Sequence, residues 1–183
     1  MTRYPETMNY RAIETLSFGD FTAPHNEKAD IWSIGAILYE MLTGQILFEG
    51  NHSLIKALEF CGPVPENVLQ QIDHKMSREF LRKKSQNFVR VDFINKLSSE
   101  CRPWLKEEIE KNSEELRDFI DRTLVFDQEI RMSVDEALAH DFLSEVREIE
   151  KETIASQSIV DVGETSIEEW KRRIWEFIQT NHV

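Results

Sequence analysis

The stretch Glu27 to Leu42, EKADIWSIGAILYEML, limits the possible folds more than any other part of the chain. Its apolar residues Ile31, Trp32, Ile34, Ile37, Leu38, Met41 and Leu42 recur at three- and four-residue steps. That spacing predicts a helix that is apolar almost all round and therefore buried. Gly44 directly after Thr43 supplies the usual left-handed stop. The run is too short, and too charged at its start, to span a bilayer. With all seven side chains buried, each contributes roughly 1.5–3 kcal/mol, which is an upper bound. Asp30 conflicts with this pattern. A carboxylate in such surroundings needs donors from elsewhere in the protein.

The remaining elements are read around this helix. Residues 1–26 read as a loop punctuated by Pro5, Gly19, Asp20, Pro24 and Asn26, with a helical turn over Ala12–Leu16. After Gly44 a short helix is expected with Leu54, Ile55, Leu58 and Phe60 inward. Residues 63–103 are less regular, with two short helices over Asn67–His74 and Ser77–Lys84. Arg78, Arg82, Lys83 and Lys84 form the basic cluster of the chain; it reads as a solvated helix face, or else as a contact for an acidic partner. Ser113–Leu124 is a helix capped by Ser113, and Ser133–His140 opens on a Ser133/Glu136 capping box. Glu145–Glu152 is charged and exposed. Thr165 or Ser166 then caps an amphipathic helix with Ile167, Trp170, Ile174, Trp175, Phe177 and Ile178 on one stripe. That stripe is expected to dock on its own domain, with a partner helix as the alternative. Helices dominate, and the fold class is mainly α.

Charge and composition exclude several functions. The net charge of -12 disfavours nucleic acid as a partner and favours basic peptides. Cys61 and Cys101 are far apart and form no metal pair, and with no signal peptide they fit an intracellular setting, cytoplasmic or nuclear. No apolar run is long enough for a membrane helix. The five histidines are scattered without metal-ligand spacing, and no phosphate loop or nucleophile elbow occurs.

An ordered series of motifs carries more information. Tyr10-Arg11-Ala12-Ile13-Glu14 resembles the YRAPE segment that closes the activation loop of protein kinases, and Asp30-Ile31-Trp32-Ser33-Ile34-Gly35 the start of their central helix. Leu42-Thr43-Gly44 through Phe48-Glu49-Gly50 is similar to the turn that follows that helix. Val125-Phe126-Asp127 through Arg131, then Ala137-Leu138-Ala139-His140, resembles the close of the catalytic domain. Thr2-Arg3-Tyr4 stands where MAP kinases carry a Thr-x-Tyr pair, and Ser166 through Lys171 is similar to the tail of stress-activated MAP kinases. The chain thus resembles the helical C-terminal lobe of the protein-kinase fold, MAP-kinase-like, with a MAP-kinase-type insert and a C-terminal helix.

The resemblance implies a division into an activation-segment remnant over 1–26, C-lobe helices over 27–143 with an insert at about 63–112, an acidic loop over 144–164 and a C-terminal helix over 165–180. It implies Thr2 and Tyr4 as phosphorylation sites, Thr7 and Arg11 as activation-segment and substrate contacts, and a buried ion pair between Glu14 and Arg131. Asp30 would receive hydrogen bonds from a catalytic loop, and Glu148, Glu150 and Glu152 would dock proteins bearing basic linear motifs. An upstream kinase and a phosphatase are the implied partners. Met8, Asn9 and Ile13 depart from the family's arginine, tryptophan and proline.

The Gly-rich loop, the strand lysine, the His-Arg-Asp loop and the Asp-Phe-Gly metal site do not occur in this sequence. No catalytic, cofactor-binding or metal-binding residue is therefore expected in this chain, although ATP and Mg serve the complete family. The implied function is part of a Ser/Thr protein kinase, inactive as this chain alone. It would be part of a longer kinase, a truncated gene model or a non-catalytic remnant. The alternative is a non-catalytic module that docks MAP-kinase partners through its acidic loop. Asp30 is expected to be water-exposed or unsatisfied, beside an apolar patch near Trp32 and Ile34.

Overall fold

A computed structural model describes residues 8–15, 26–50, 53–152 and 166–181. The chain divides after Arg147 into two units, Met1–Arg147 and Glu148–Val183. Helices run as α1 Lys28–Thr43, α2 Ser53–Cys61, α3 Glu66–Gln70, α4 Lys75–Ser85, α5 Phe93–Glu100, α6 Lys106–Lys111, α7 Ser113–Thr123 and α8 Val134–Leu138 in the first unit, and α9 Ile167–Asn181 in the second. Single 3-10 turns lie at Met8–Tyr10, Ile13–Thr15, Pro103–Leu105, Asp141–Leu143 and Ile149–Lys151. Among the described residues no extended strand forms, and no helix is long and apolar enough to cross a membrane.

Helix α1 is the axis of the first unit. It ends at Gly44, whose φ of 78° is open to glycine at little cost and whose N–H bonds the Glu40 carbonyl at 2.7 Å. Along its inner side runs a chain of aromatic contacts. Trp32 stacks on Phe48 at 5.4 Å and Phe126 at 5.9 Å, while Tyr39 meets Phe60 at 6.1 Å and Phe93 at 6.2 Å. Gly35 allows α7 to come close: a Cβ there would lie 2.6 Å from Thr123 Oγ1 and 2.9 Å from Leu124 Cγ.

Burial on α1 is one-sided, which corrects the expectation of seven buried side chains. Ile31 and Trp32 are buried, but Ile34 and Ile37 are each 43% exposed and Met41 63%. These three follow one another at three- and four-residue steps and so share the outer face. An exposed apolar patch therefore includes Ile34 but not Trp32, whose ring is closed between Phe48 and Phe126. Asp30 lies in the first turn with its side chain exposed, where the helix dipole favours an anion and no buried donor is needed.

Other local expectations shift by small amounts. The turn foreseen over Ala12–Leu16 is Ile13–Thr15, with Leu16 outside the described residues. Asn112, not Ser113, precedes α7, and it makes no side-chain cap. The irregular stretch 63–103 contains a further helix, α5, opened by Asp92 accepting from the Asn95 N–H at 3.2 Å. Ser133 and Glu136 form the reciprocal box at α8. In the second unit Ser166 Oγ accepts from the Glu169 N–H at 3.2 Å. Arg172 and Arg173 hold the Glu169 carboxyl down at about 2.

Candidate functional site

Residues 8–15 lie on α1 and are held at both ends. Tyr10 supplies the first anchor. Its hydroxyl donates to Glu40 Oε2 at 2.6 Å, and its carbonyl accepts from Ser33 Oγ at 2.8 Å. Ser33 and Glu40 are two turns apart on α1 and so present to one side. The bond to the Glu40 carboxylate, helped by burial, raises the Tyr10 pKa, so the phenol keeps its proton. Asn9 adds a tie to the turn after α1, its Oδ1 accepting from the Gly50 N–H at 3.0 Å.

Ala12 and Ile13 are buried beside the main core. Next comes the second anchor. The Arg131 guanidinium meets the Glu14 carboxylate edge-on, Nη1 to Oε1 at 2.7 Å and Nη2 to Oε2 at 3.1 Å. Arg131 also donates to the Lys28 carbonyl at 2.9 Å and to the Val125 carbonyl from Nε at 2.9 Å and Nη2 at 2.8 Å. Its carbon centre sits 5.3 Å from the Trp32 ring centroid. Three segments, 8–15, the start of α1 and the loop that carries Val125, thus meet at one buried cation whose donors are satisfied, which is what makes a buried charge tolerable.

Between the anchors Arg11 is exposed and has no ion pair among the described residues. Thr2, Tyr4 and Thr7 lie outside the described residues. In the second unit Glu148, Glu150 and Glu152 are all exposed, and Lys151 pairs with Glu148. Among the described residues no cluster of His, Cys, Asp or Glu could hold a metal. The Tyr10–Glu40 bond and the Asn9–Gly50 tie escaped the sequence reading. The seven-residue spacing of Ser33 and Glu40 on one helix side was the available signal for the first.

Residues 1–143 match the protein kinase domain model. The chain belongs to the protein kinase domain family. Within that family its likeness is to MAP kinases. It is 31% identical to mouse Mitogen-activated protein kinase 13, over 97% of this chain and 46% of that protein. Mouse Mitogen-activated protein kinase 12 is 31% identical over 94% of this chain and 44% of its own length, and Caenorhabditis elegans Mitogen-activated protein kinase pmk-1 is 30% identical over 97% and 44%. The kinase chain therefore spans about half the length of the relatives it matches. The helical make-up of the first unit agrees with a kinase C-terminal lobe.

Proposed function

We propose that this chain forms the substrate-side lobe of a MAP-kinase-type Ser/Thr kinase, an enzyme that transfers a phosphoryl group from Mg-ATP to protein hydroxyls. The supporting observation is the double anchoring of residues 8–15, at Tyr10–Glu40 and Glu14–Arg131. A peptide substrate needs a fixed surface, and positioning supplies most of what phosphoryl transfer requires of the protein. Thr2 and Tyr4 are the phosphorylation sites in this reading, targets of an upstream kinase or phosphatase, with Arg11, which has no ion pair among the described residues, a cation for the added charge. Phosphoryl transfer also needs groups that hold ATP and Mg, and the sequence carries none of the family's motifs for them. The 183-residue chain by itself is therefore inactive.

Two measurements test the reading. Mg-ATP should leave the melting temperature of the purified chain unchanged, because a ligand that binds only the folded state must raise it. A clear upward shift, or transfer of labelled phosphate to a protein substrate, overturns the claim of inactivity. Incubation with a dual-specificity kinase that acts on MAP kinases should modify Thr2 and Tyr4; mass spectrometry placing the phosphate only elsewhere counts against the MAP-kinase assignment.

The exposure of Glu148, Glu150 and Glu152 favours a second reading, a module that docks basic linear motifs. A labelled basic peptide should then bind saturably and be released by Glu148→Lys with Glu150→Lys. Binding that ignores both substitutions removes this reading.

A further inference from the structure

A cleft of about 190 Å³ lies where the end of α1, the turn after it, α2 and α5 come together. Its floor is apolar. Tyr39, Leu47 and Phe60 line it, and each is less than a tenth exposed. Helix α5 supplies a polar wall. The Glu100 carboxylate accepts from the Tyr39 hydroxyl on Oε2 and from Lys96 Nζ on Oε1, the latter at 2.6 Å. Both oxygens are thus engaged, and Lys96 balances the charge of Glu100. An apolar cavity of about 150 Å³ holds a benzene ring, so this cleft has room for an aromatic or branched aliphatic group.

The charges at the mouth are the second observation. Lys56 and Glu59 are three residues apart on α2, so they share one side of the helix with Phe60. Both line the cleft and both are exposed. Neither has an ion pair among the described residues. With Lys96 and Glu100 paired, the mouth offers one cation and one anion side by side. A ligand of a single sign meets attraction from one and repulsion from the other. A wholly apolar ligand would cover both charges and give them no partner, which is costly. A small zwitterion answers both, and discrimination follows from the groups that any other ligand leaves unpaired.

We propose that this cleft binds a free amino acid with an aromatic or aliphatic side chain. The side chain rests on Tyr39, Leu47 and Phe60, the carboxylate meets Lys56 and the ammonium meets Glu59. Because the floor comes from α1 and the wall from α5, an occupant would also brace those two helices against each other.

Isothermal titration of the whole chain with L-phenylalanine tests this. Saturable one-to-one binding is expected, with Kd about millimolar or tighter for a ligand of this size. Phenethylamine lacks the carboxylate and 3-phenylpropanoate lacks the ammonium. Each should bind about three- to fivefold more weakly, as the loss of one exposed ion pair implies. Glycine, with no side chain to fill the cleft, should show no saturation. Lys56→Gln and Glu59→Gln alter exposed positions and should each weaken phenylalanine by a similar factor, with circular dichroism unchanged. The proposal is overturned if phenylalanine does not saturate the unaltered chain, or if either truncated analogue or glycine binds as well. Undiminished binding to both variants also overturns it, since the ligand would then sit elsewhere.

Discussion

Arg131 and Glu14, 117 residues apart in sequence, share two hydrogen bonds in a buried pair that closes the segment 8–15 onto the central helix. Neither partner is served by solvent. Arg131→Met should therefore leave the Glu14 carboxylate buried and cost about 3–5 kcal/mol. The double change Glu14→Gln with Arg131→Met should recover part of that loss, since no charge is then stranded. Urea unfolding of the three proteins measures both. A single variant within the error of the parent would contradict a buried, coupled pair.

Tyr10→Phe keeps the ring but deletes the hydroxyl that reaches Glu40. The bond is partly exposed, so a loss of about 1 kcal/mol is expected, below the full value for a hydrogen bond to a buried charge. The effect should be local. Arg11 is exposed in the segment that Tyr10 anchors, so trypsin should cut after Arg11 faster in the variant. Equal cleavage rates would show that Tyr10 does not hold the segment.

Gly35→Ala places a Cβ against the Thr123 hydroxyl and the Leu124 side chain at distances real contacts do not reach. Helix α1 gains propensity from alanine, but α7 must move. The second effect should prevail, with overpacking costing about 1–3 kcal/mol. A melting temperature several degrees lower is the expected reading, and an unchanged or higher value would mean α1 and α7 do not approach so closely.

Alkaline pH should weaken the fold through two buried acids. Burial pushes the Cys61 thiol up to about 12 from an ordinary 9, with Arg90 opposing weakly. Burial first, and then the bond to Glu100, raise the Tyr39 phenol above its ordinary 10. Both folded-state values are raised. The stability they contribute is therefore whole below about pH 9 and falls as pH rises through the window from 9 to 12, where the unfolded chain binds fewer protons. Cys61→Ala should flatten the early part of this decline, read as the slope of the urea midpoint against pH between about 9 and 10. The same slope in both proteins would refute the role of Cys61.

Much of the fold was legible because it rests on near neighbours. The left-handed stop at Gly44 and the Ser133–Glu136 box depend on residues at most four apart, and both form as the sequence implies. The motif series from Tyr10 to His140 likewise points to a kinase lobe. Helix α5 is less legible, although Asp92, Phe93 and Leu97 provide a cap and an apolar pair one turn apart. Its short length weakened the periodic signal.

Other features depended on partners distant in the chain. In sequence, Trp32, Ile34, Ile37 and Met41 are equally apolar candidates for the core. The structure buries Trp32 because Phe48 and Phe126 close over it, and leaves the other three outward on the helix face turned away from those rings. Tyr10 finds Glu40, and Asn9 finds Gly50, only after the segment 8–15 has been laid on α1. Sequence by itself determined the longest helix with its stop at Gly44, the capping box at Ser133, and the family. Tertiary structure decided which helix faces are inside and which polar groups meet, because burial and hydrogen bonding depend on neighbours in space, whereas caps and periodicity are complete within one or two turns.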